Sequence, residues 1–311
     1  MNAIVYVLAW SLVRVLQALP LLWVARIGRA GGGLAYMLDG RHRRVALKNL
    51  AQCFDKEMAP EAIRRLALEN FRRIGESYCC AVKTAAMSWD KLRQHVRFVG
   101  PSCIMECTTV DPPSFVGAVG HFGNFEVYAR LGHHNPKFDC AATYRALHPP
   151  ALNDLLQSLR KKSGCHFFER RAGMAALQAW MAPKGKSLGL LADQHAGRSS
   201  VRTPFFGVDC ATTTAPAVIA LRYNQPLFIG VCYRTSLAHW TVEFSGPIAT
   251  NTSDGRPRPV ADIIWDMNRA FETAVRRDPA NWFWVHNRWK PDKLPAPRQQ
   301  SKETPAARPG S

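Results

Sequence analysis

The chain has 311 residues, 47% hydrophobic and 10% aromatic, with 21 glycines and 21 prolines; this excludes a disordered chain or a disulfide scaffold and leaves room for one large α/β domain. Lys plus Arg number 41 against 23 Asp plus Glu, a formal charge of +18, so the expected partners are anionic: nucleic acid, an anionic membrane face or an acidic carrier protein. The nine cysteines lack paired CxxC spacing and read as reduced thiols, with no zinc site and no other metal expected.

From Ala3 to Leu38 the sequence is apolar but interrupted by Arg14, Pro20, Arg26 and Arg29. Neither uninterrupted run approaches the ~20 apolar residues that span a bilayer. Three readings stand: a helix crossing from Ala3 to about Val24 with Arg14 snorkelling, an interfacial or re-entrant anchor, or the buried first helix of a soluble domain. Arg41-His42-Arg43-Arg44 and Lys48 follow, a cytoplasmic collar facing anionic lipid or a solvated helix face. Pro60 to about Met87 has helical periodicity, with Ile63, Leu66, Phe71, Ile74, Tyr78 and Val82 forming a core stripe.

Short apolar strands then alternate with helices. The pattern predicts strands at Phe115–Val119, Cys140–Tyr144, Ser187–Leu191, Leu227–Tyr233 and Trp240–Phe244. Helices are expected from Asn124, near Ala151–Lys162 and Ala172–Met181, and over Thr213–Tyr223 and Val260–Arg277. This rhythm predicts an α/β fold with a central mixed, largely parallel sheet flanked by helices. The expected organisation is a membrane-anchoring segment over 1–40, an α/β domain over 41–290, and a disordered tail over 291–311, rich in proline, charge and small residues.

Polar groups gather where strand ends would bring them together. In Gly120-His121-Phe122-Gly123-Asn124-Phe125-Glu126, a glycine-bearing turn lets a carboxylate five positions on fold back to a histidine, which reads as general base His121 oriented by Glu126. The plain alternative is a core histidine beside a capping glutamate. Arg145 leaves the strand at Thr143-Tyr144 and reads as a bidentate grip on phosphate or a structural ion pair; Arg170 and Arg171 read similarly. Asp193-Gln194-His195 ends another strand, where Asp193 orients His195, binds a sugar hydroxyl or caps the turn. Phe205-Phe206 lines a groove or joins the core, and Trp282, Trp284 and Trp289 sit at headgroup level or form a structural edge.

The 120–126 segment resembles the HX4D/E motif of the bacterial lipid A late acyltransferases. The resemblance continues in order through Tyr144-Arg145, Asp193-Gln194, Thr203-Pro204-Phe205-Phe206-Gly207, Ala211-Thr212-Thr213-Thr214-Ala215-Pro216 and Trp284-Val285-His286-Asn287-Arg288-Trp289-Lys290, covering roughly residues 5 to 290. It implies a glycerol-3-phosphate acyltransferase-like fold and a membrane-associated O-acyltransferase on the cytoplasmic side of the bacterial inner membrane. An acyl carrier protein or coenzyme A thioester would donate the acyl chain, and a lipid A precursor would accept it, with no bound cofactor. A thioester is already activated, so the chemistry needs a base for the hydroxyl and donors for the oxyanion. His121 and Glu126 would supply the first, and the N–H groups of Gly123 and Asn124 the second. Asn124, Arg145, Arg171, Asp193 and Gln194 are the expected substrate contacts. A phosphatidylinositol mannoside or an aminolipid is the alternative acceptor. The non-enzymatic alternative, a basic nucleic-acid- or lipid-binding protein, has no nucleic-acid-reading motif to support it.

Overall fold

Pro20 breaks the apolar amino terminus into α1 (Asn2–Ala18) and α2 (Leu21–Leu38). A computed structural model describes residues 2–107, 111–197 and 200–290; the expected tail lies outside them. Among the described residues no helix is long and apolar enough to cross a membrane, which corrects the crossing alternative for the anchor segment. The proline ends the first helix, and the arginines dilute both. One face of α2, with Leu21, Val24, Ala25, Gly28 and Gly32, is buried. Its opposite face and most of α1 leave Val7, Leu8, Leu12, Trp23 and Leu34 exposed.

Asp39 opens α3 (Gly40–Phe54) by accepting the His42 N–H at 3.0 Å, an ordinary N-cap. The long α4 (Pro60–Ala86) begins on Pro60, as expected, and buries Ile63, Ala67, Asn70, Phe71, Glu76, Cys80 and Thr84. Tyr78, expected on the core stripe, is exposed, because the other side of α4 is covered by α2. The two backbones touch there: a Cβ on Gly32 would meet the Phe71 carbonyl oxygen at 2.1 Å, and one on Gly28 would meet that of Gly75 at 2.5 Å.

Short helices α5 (Trp89–Leu92), α6 (Pro101–Cys107) and α7 (Leu131–His134) accompany β1 (Val96–Val99) and β2 (Val116–Val119). Next come β3 (Asp139–Tyr144), α8 (Pro150–Arg160), β4 (Cys165–Glu169), α9 (Met174–Met181) and β5 (Lys186–Leu191). A ribbon of β6 (Ser200–Phe205) and β7 (Val208–Thr213) precedes α10 (Ala215–Tyr223) and the hairpin of β8 (Leu227–Ser236) and β9 (His239–Ile248). Helix α11 (Val260–Arg277) closes the fold.

The seven-stranded sheet runs β1-β9-β8-β2-β5-β3-β4, parallel throughout except for the β8–β9 hairpin. Strand β2 is buried along its whole length, as a central parallel strand covered on both faces must be. The expected α/β class is therefore observed. The stretch read as one helix over Thr213–Tyr223 starts only at Ala215, because Thr213 still pairs across the ribbon with Ser200. Strands β1, β4, β6 and β7 carry too few apolar residues, or too much interruption by charge and proline, to announce themselves.

The segment after α11 is clamped from the amino-terminal helices. The buried Asn70 donates to the carbonyls of Ala280 and Trp282, and the buried Asn49 to those of Trp284 at 2.9 Å and His286 at 2.8 Å. Trp282 and Trp284 are 1% and 0% exposed, so these two rings are core and not headgroup contacts. Phe205 is likewise core, packed 5.4 Å from Trp282.

Replacing Gly32 by Leu is expected to force α2 off α4 and to cost about 3 kcal/mol or more, read as a lower urea midpoint. Gly31→Leu is the control, since a Cβ there meets nothing within 4 Å; it should leave the midpoint within about 0.5 kcal/mol.

Candidate active site

The parallel register of β2 with β5 sets the site. Val119 pairs with Leu191, so continuing both strands by two residues brings His121 level with Asp193. Asp193 Oδ1 accepts from His121 Nδ1 at 2.7 Å, while Oδ2 accepts the His121 backbone N–H and the Trp282 indole N–H, each at 2.8 Å. Burial alone would raise the Asp193 pKa, but the charge and hydrogen bonds of His121, with that of Trp282, hold it below the usual carboxylate range. The ionised carboxylate keeps the imidazole proton on Nδ1 and leaves Nε2 as the acceptor.

The carboxylate that holds His121 is thus Asp193, which corrects the expected partnership with Glu126. Phe125 packs edge-on against the His121 ring at 5.0 Å, and the chain continues as a 3₁₀ helix over Phe125–Arg130. Glu126 is carried instead to Arg160 of α8, whose guanidinium donates to both carboxylate oxygens at 2.6 and 3.1 Å. Spacing along the chain allowed the His–Glu contact; the aromatic between them and the competing arginine prevent it.

Gly123 sits at φ +48° with the Cys232 carbonyl oxygen 2.7 Å from where a Cβ would be, so this turn requires glycine. Its N–H donates to the Asn281 carbonyl at 3.1 Å. That bond takes Gly123 out of the set of oxyanion donors, a second correction. Asn124 lines the cleft, with its side-chain amide buried on Thr84 Oγ1 at 3.2 Å.

Around these groups lies a cleft of about 700 Å³, lined on its polar side by Arg145, Arg160, Arg170, Gln194 and His286. Arg170, not Arg171, lines it. The Arg170 N–H bonds the Tyr144 carbonyl at the end of β4, and the chain then turns at Arg171, whose N–H caps onto Glu169. An apolar pocket of about 80 Å³ shares Phe125, Thr143 and Leu191 with the cleft and continues to Gly117, Cys140 and Gly189.

Four residues with a part in the site are not among the site residues expected from sequence: Arg160, Trp282, His286 and Arg288. The last two lay inside a recognised block, yet their partners are distant in the chain. Arg288, fully buried, donates to the carbonyls of Gln194 at 3.3 Å and Ala211 at 2.6 Å and to Thr212 Oγ1 at 2.7 Å. It thereby ties the 193–195 turn to the ribbon. His286 Nε2 accepts the His195 backbone N–H at 3.1 Å, and burial pushes its pKa down to about 4.

A mostly parallel α/β sheet with a carboxylate-held histidine at a strand end, facing a cleft lined by arginines and extended by an apolar pocket, defines the class of fold and site. The profile of the bacterial lipid A biosynthesis acyltransferase family matches residues 2–291, and the chain belongs to that family. It is an acyltransferase of the lipid A late-acylation type. Among curated relatives, it is 26% identical over 274 residues to a lipid A biosynthesis palmitoleoyltransferase of Escherichia coli, covering 85% of this chain and 84% of that one. It is 24% identical over 306 residues to a lipid A biosynthesis lauroyltransferase of the same organism, covering 94% of each. A lipid A biosynthesis acyltransferase of Haemophilus influenzae is 26% identical over 297 residues, covering 89% of this chain and 87% of that protein.

The half-buried, neutral His286 makes a pH prediction. Its pKa is about 4 in the fold against an ordinary 6.5, so protonation favours the unfolded chain. The stabilisation is present above pH 6.5 and lost as pH falls towards 4. Urea midpoints measured across that window should fall with acid, and His286→Gln should make the decline shallower.

Proposed function

We propose that the protein is a membrane-associated O-acyltransferase in which His121, oriented by Asp193, moves an acyl chain from an acyl carrier protein or coenzyme A thioester to a hydroxyl of a lipid A precursor. The observation that carries this reading is the buried Asp193 carboxylate fixing His121 at the mouth of a cleft with an apolar pocket beside it. Nε2 of His121 takes the acceptor hydroxyl proton as the oxygen attacks the thioester carbonyl carbon, and the C=O electron pair moves onto oxygen. Collapse re-forms the carbonyl and breaks the C–S bond, and the departing thiolate recovers the proton from His121.

Arg145, Arg160 and Arg170 give the cleft the charge to bind phosphate on the donor or the acceptor, with Glu126 holding the Arg160 fork in place. Gln194 and Asn124 line the same space as polar residues, and the apolar pocket receives the acyl chain. The exposed apolar faces of α1 and α2, flanked by Arg41, Arg43 and Arg44, suit the headgroup–acyl boundary of an anionic membrane. In this reading the site lies beside its lipid on the cytoplasmic side of the inner membrane.

The deciding experiment supplies purified protein with acyl carrier protein or coenzyme A thioesters and a Kdo-bearing lipid A precursor, then reads acceptor mass. Addition of one acyl chain is expected. His121→Ala should abolish it, and Asp193→Asn should lower turnover about 10⁴-fold through the wrong imidazole tautomer, in both cases with folded protein. Undiminished turnover in His121→Ala would sink the assignment.

A second prediction concerns the apolar pocket. A Cβ at Gly189 meets only the Ala141 carbonyl oxygen, at 3.7 Å, so a side chain there enters the pocket. Gly189→Leu should lower kcat/KM for the preferred acyl chain about 10- to 200-fold relative to shorter ones, measured in competition between thioesters of different length.

A further inference from the structure

Acyl transfer builds negative charge on the thioester carbonyl oxygen, and a water-poor cleft must offset it with hydrogen-bond donors already in place. One candidate, the Gly123 N–H, is used by the Asn281 carbonyl. His286 lines the same cleft as His121, Asn124 and Gln194. Its backbone and its ring are each held by one hydrogen bond. Asn49 holds its backbone carbonyl at 2.8 Å, and the His195 N–H points at Nε2 from 3.1 Å.

A backbone N–H can only donate, so Nε2 must be the unprotonated nitrogen and the neutral ring must carry its hydrogen on Nδ1. No hydrogen bond from a described residue reaches Nδ1. A charged imidazolium would need a proton on Nε2, where the His195 N–H already sits. Burial works in the same direction and keeps the ring neutral at physiological pH. The result is a donor that a proton from solvent does not convert into an acid competing with His121.

We propose that His286 is a catalytic residue whose Nδ1–H donates to the thioester carbonyl oxygen and stabilises the oxyanion formed when the acceptor hydroxyl attacks. The inference rests on the acyl-transfer reading above. In the step, the hydroxyl oxygen bonds to the carbonyl carbon, its proton passes to His121 Nε2, and the π pair of the carbonyl becomes the oxyanion lone pair facing His286. When the C–S bond breaks, that pair re-forms the carbonyl and the Nδ1–H is retained. No proton leaves His286.

Two substitutions separate this role from support of the His195 backbone. His286→Gln places an acceptor oxygen where Nε2 was and removes the Nδ1 donor; His286→Asn places an amide donor near Nδ1 and gives up the bond from His195. The full-length protein and both variants are assayed for acyl transfer, with thermal unfolding measured in parallel. His286→Gln is expected to lose about 10²- to 10³-fold in kcat with KM for thioester and acceptor little changed, and His286→Asn to retain more turnover than His286→Gln. Wild-type kcat in His286→Gln, or a loss confined to KM, overturns the proposal and leaves His286 a brace for the 195 backbone.

Should neither variant fold, the unaltered protein carries the test. An alkylphosphonate, which presents an anionic oxygen at the head of a long chain, is titrated against ¹⁵N-histidine-labelled protein. A downfield move of the Nδ1–H resonance of a neutral, Nδ1-protonated histidine distinct from His121 supports the donor role; no such move overturns it. Failure of the unaltered protein to use either thioester is a different result, removing the acyl-transfer reading and this inference with it.

Discussion

A single buried carboxylate organises this protein. Asp193 is 1% exposed, and an ion taken that far from water is stable only if its lone pairs are met by donors of fixed geometry. His121 supplies two of those donors, ring and backbone, and Trp282 a third. His121, Asp193 and Trp282 come from separate parts of the chain: the end of β2, the end of β5 and the segment after α11. Satisfying the charge therefore draws the site together, and the same bonds leave His121 Nε2 open towards the cleft.

The supports behind that carboxylate are also buried polar groups, each matched to a distant backbone. Asn49 and Asn70 reach from α3 and α4 to four carbonyls between Ala280 and His286, which orients the Trp282 indole and the His286 ring together. Arg288 holds the Gln194 carbonyl from the other side. Glu76 performs a comparable role at the edge, accepting from Arg29 of α2, from Arg234 of β8 and from the Ala238 N–H. The amino-terminal helices are thus structural members of the site. The apolar segment before α3 is itself bonded to α4, through Arg29 to Glu69 and Glu76.

Legibility differed by the range of the interaction. Strands β2, β3, β5, β8 and β9 announced themselves by apolar runs with turns between, and α4 and α11 by their periodicity. His121 was identifiable because a histidine after a central strand and beside a glycine turn is a local pattern. The same local logic pairs Glu126 with His121, and nothing near it in sequence reports that Phe125 packs on the imidazole or that Arg160 arrives from α8. Arg170 and Arg171 are equivalent in local sequence, and only the turn after β4 decides that Arg170 lines the cleft.

From the sequence alone came the α/β class, the family resemblance, the excess of basic charge and the histidine at the end of the central strand. All of these are encoded in composition, short-range periodicity or ordered motifs. Tertiary structure decided which carboxylate serves that histidine, which N–H groups are already used and which way the imidazoles present their protons. These depend on β2 and β5 lying side by side in one register and on amides from α3 and α4 meeting a strip of chain more than two hundred residues away. Pairings of that kind are chosen by packing and by the cost of leaving buried polar groups unmet, and local sequence carries no record of them.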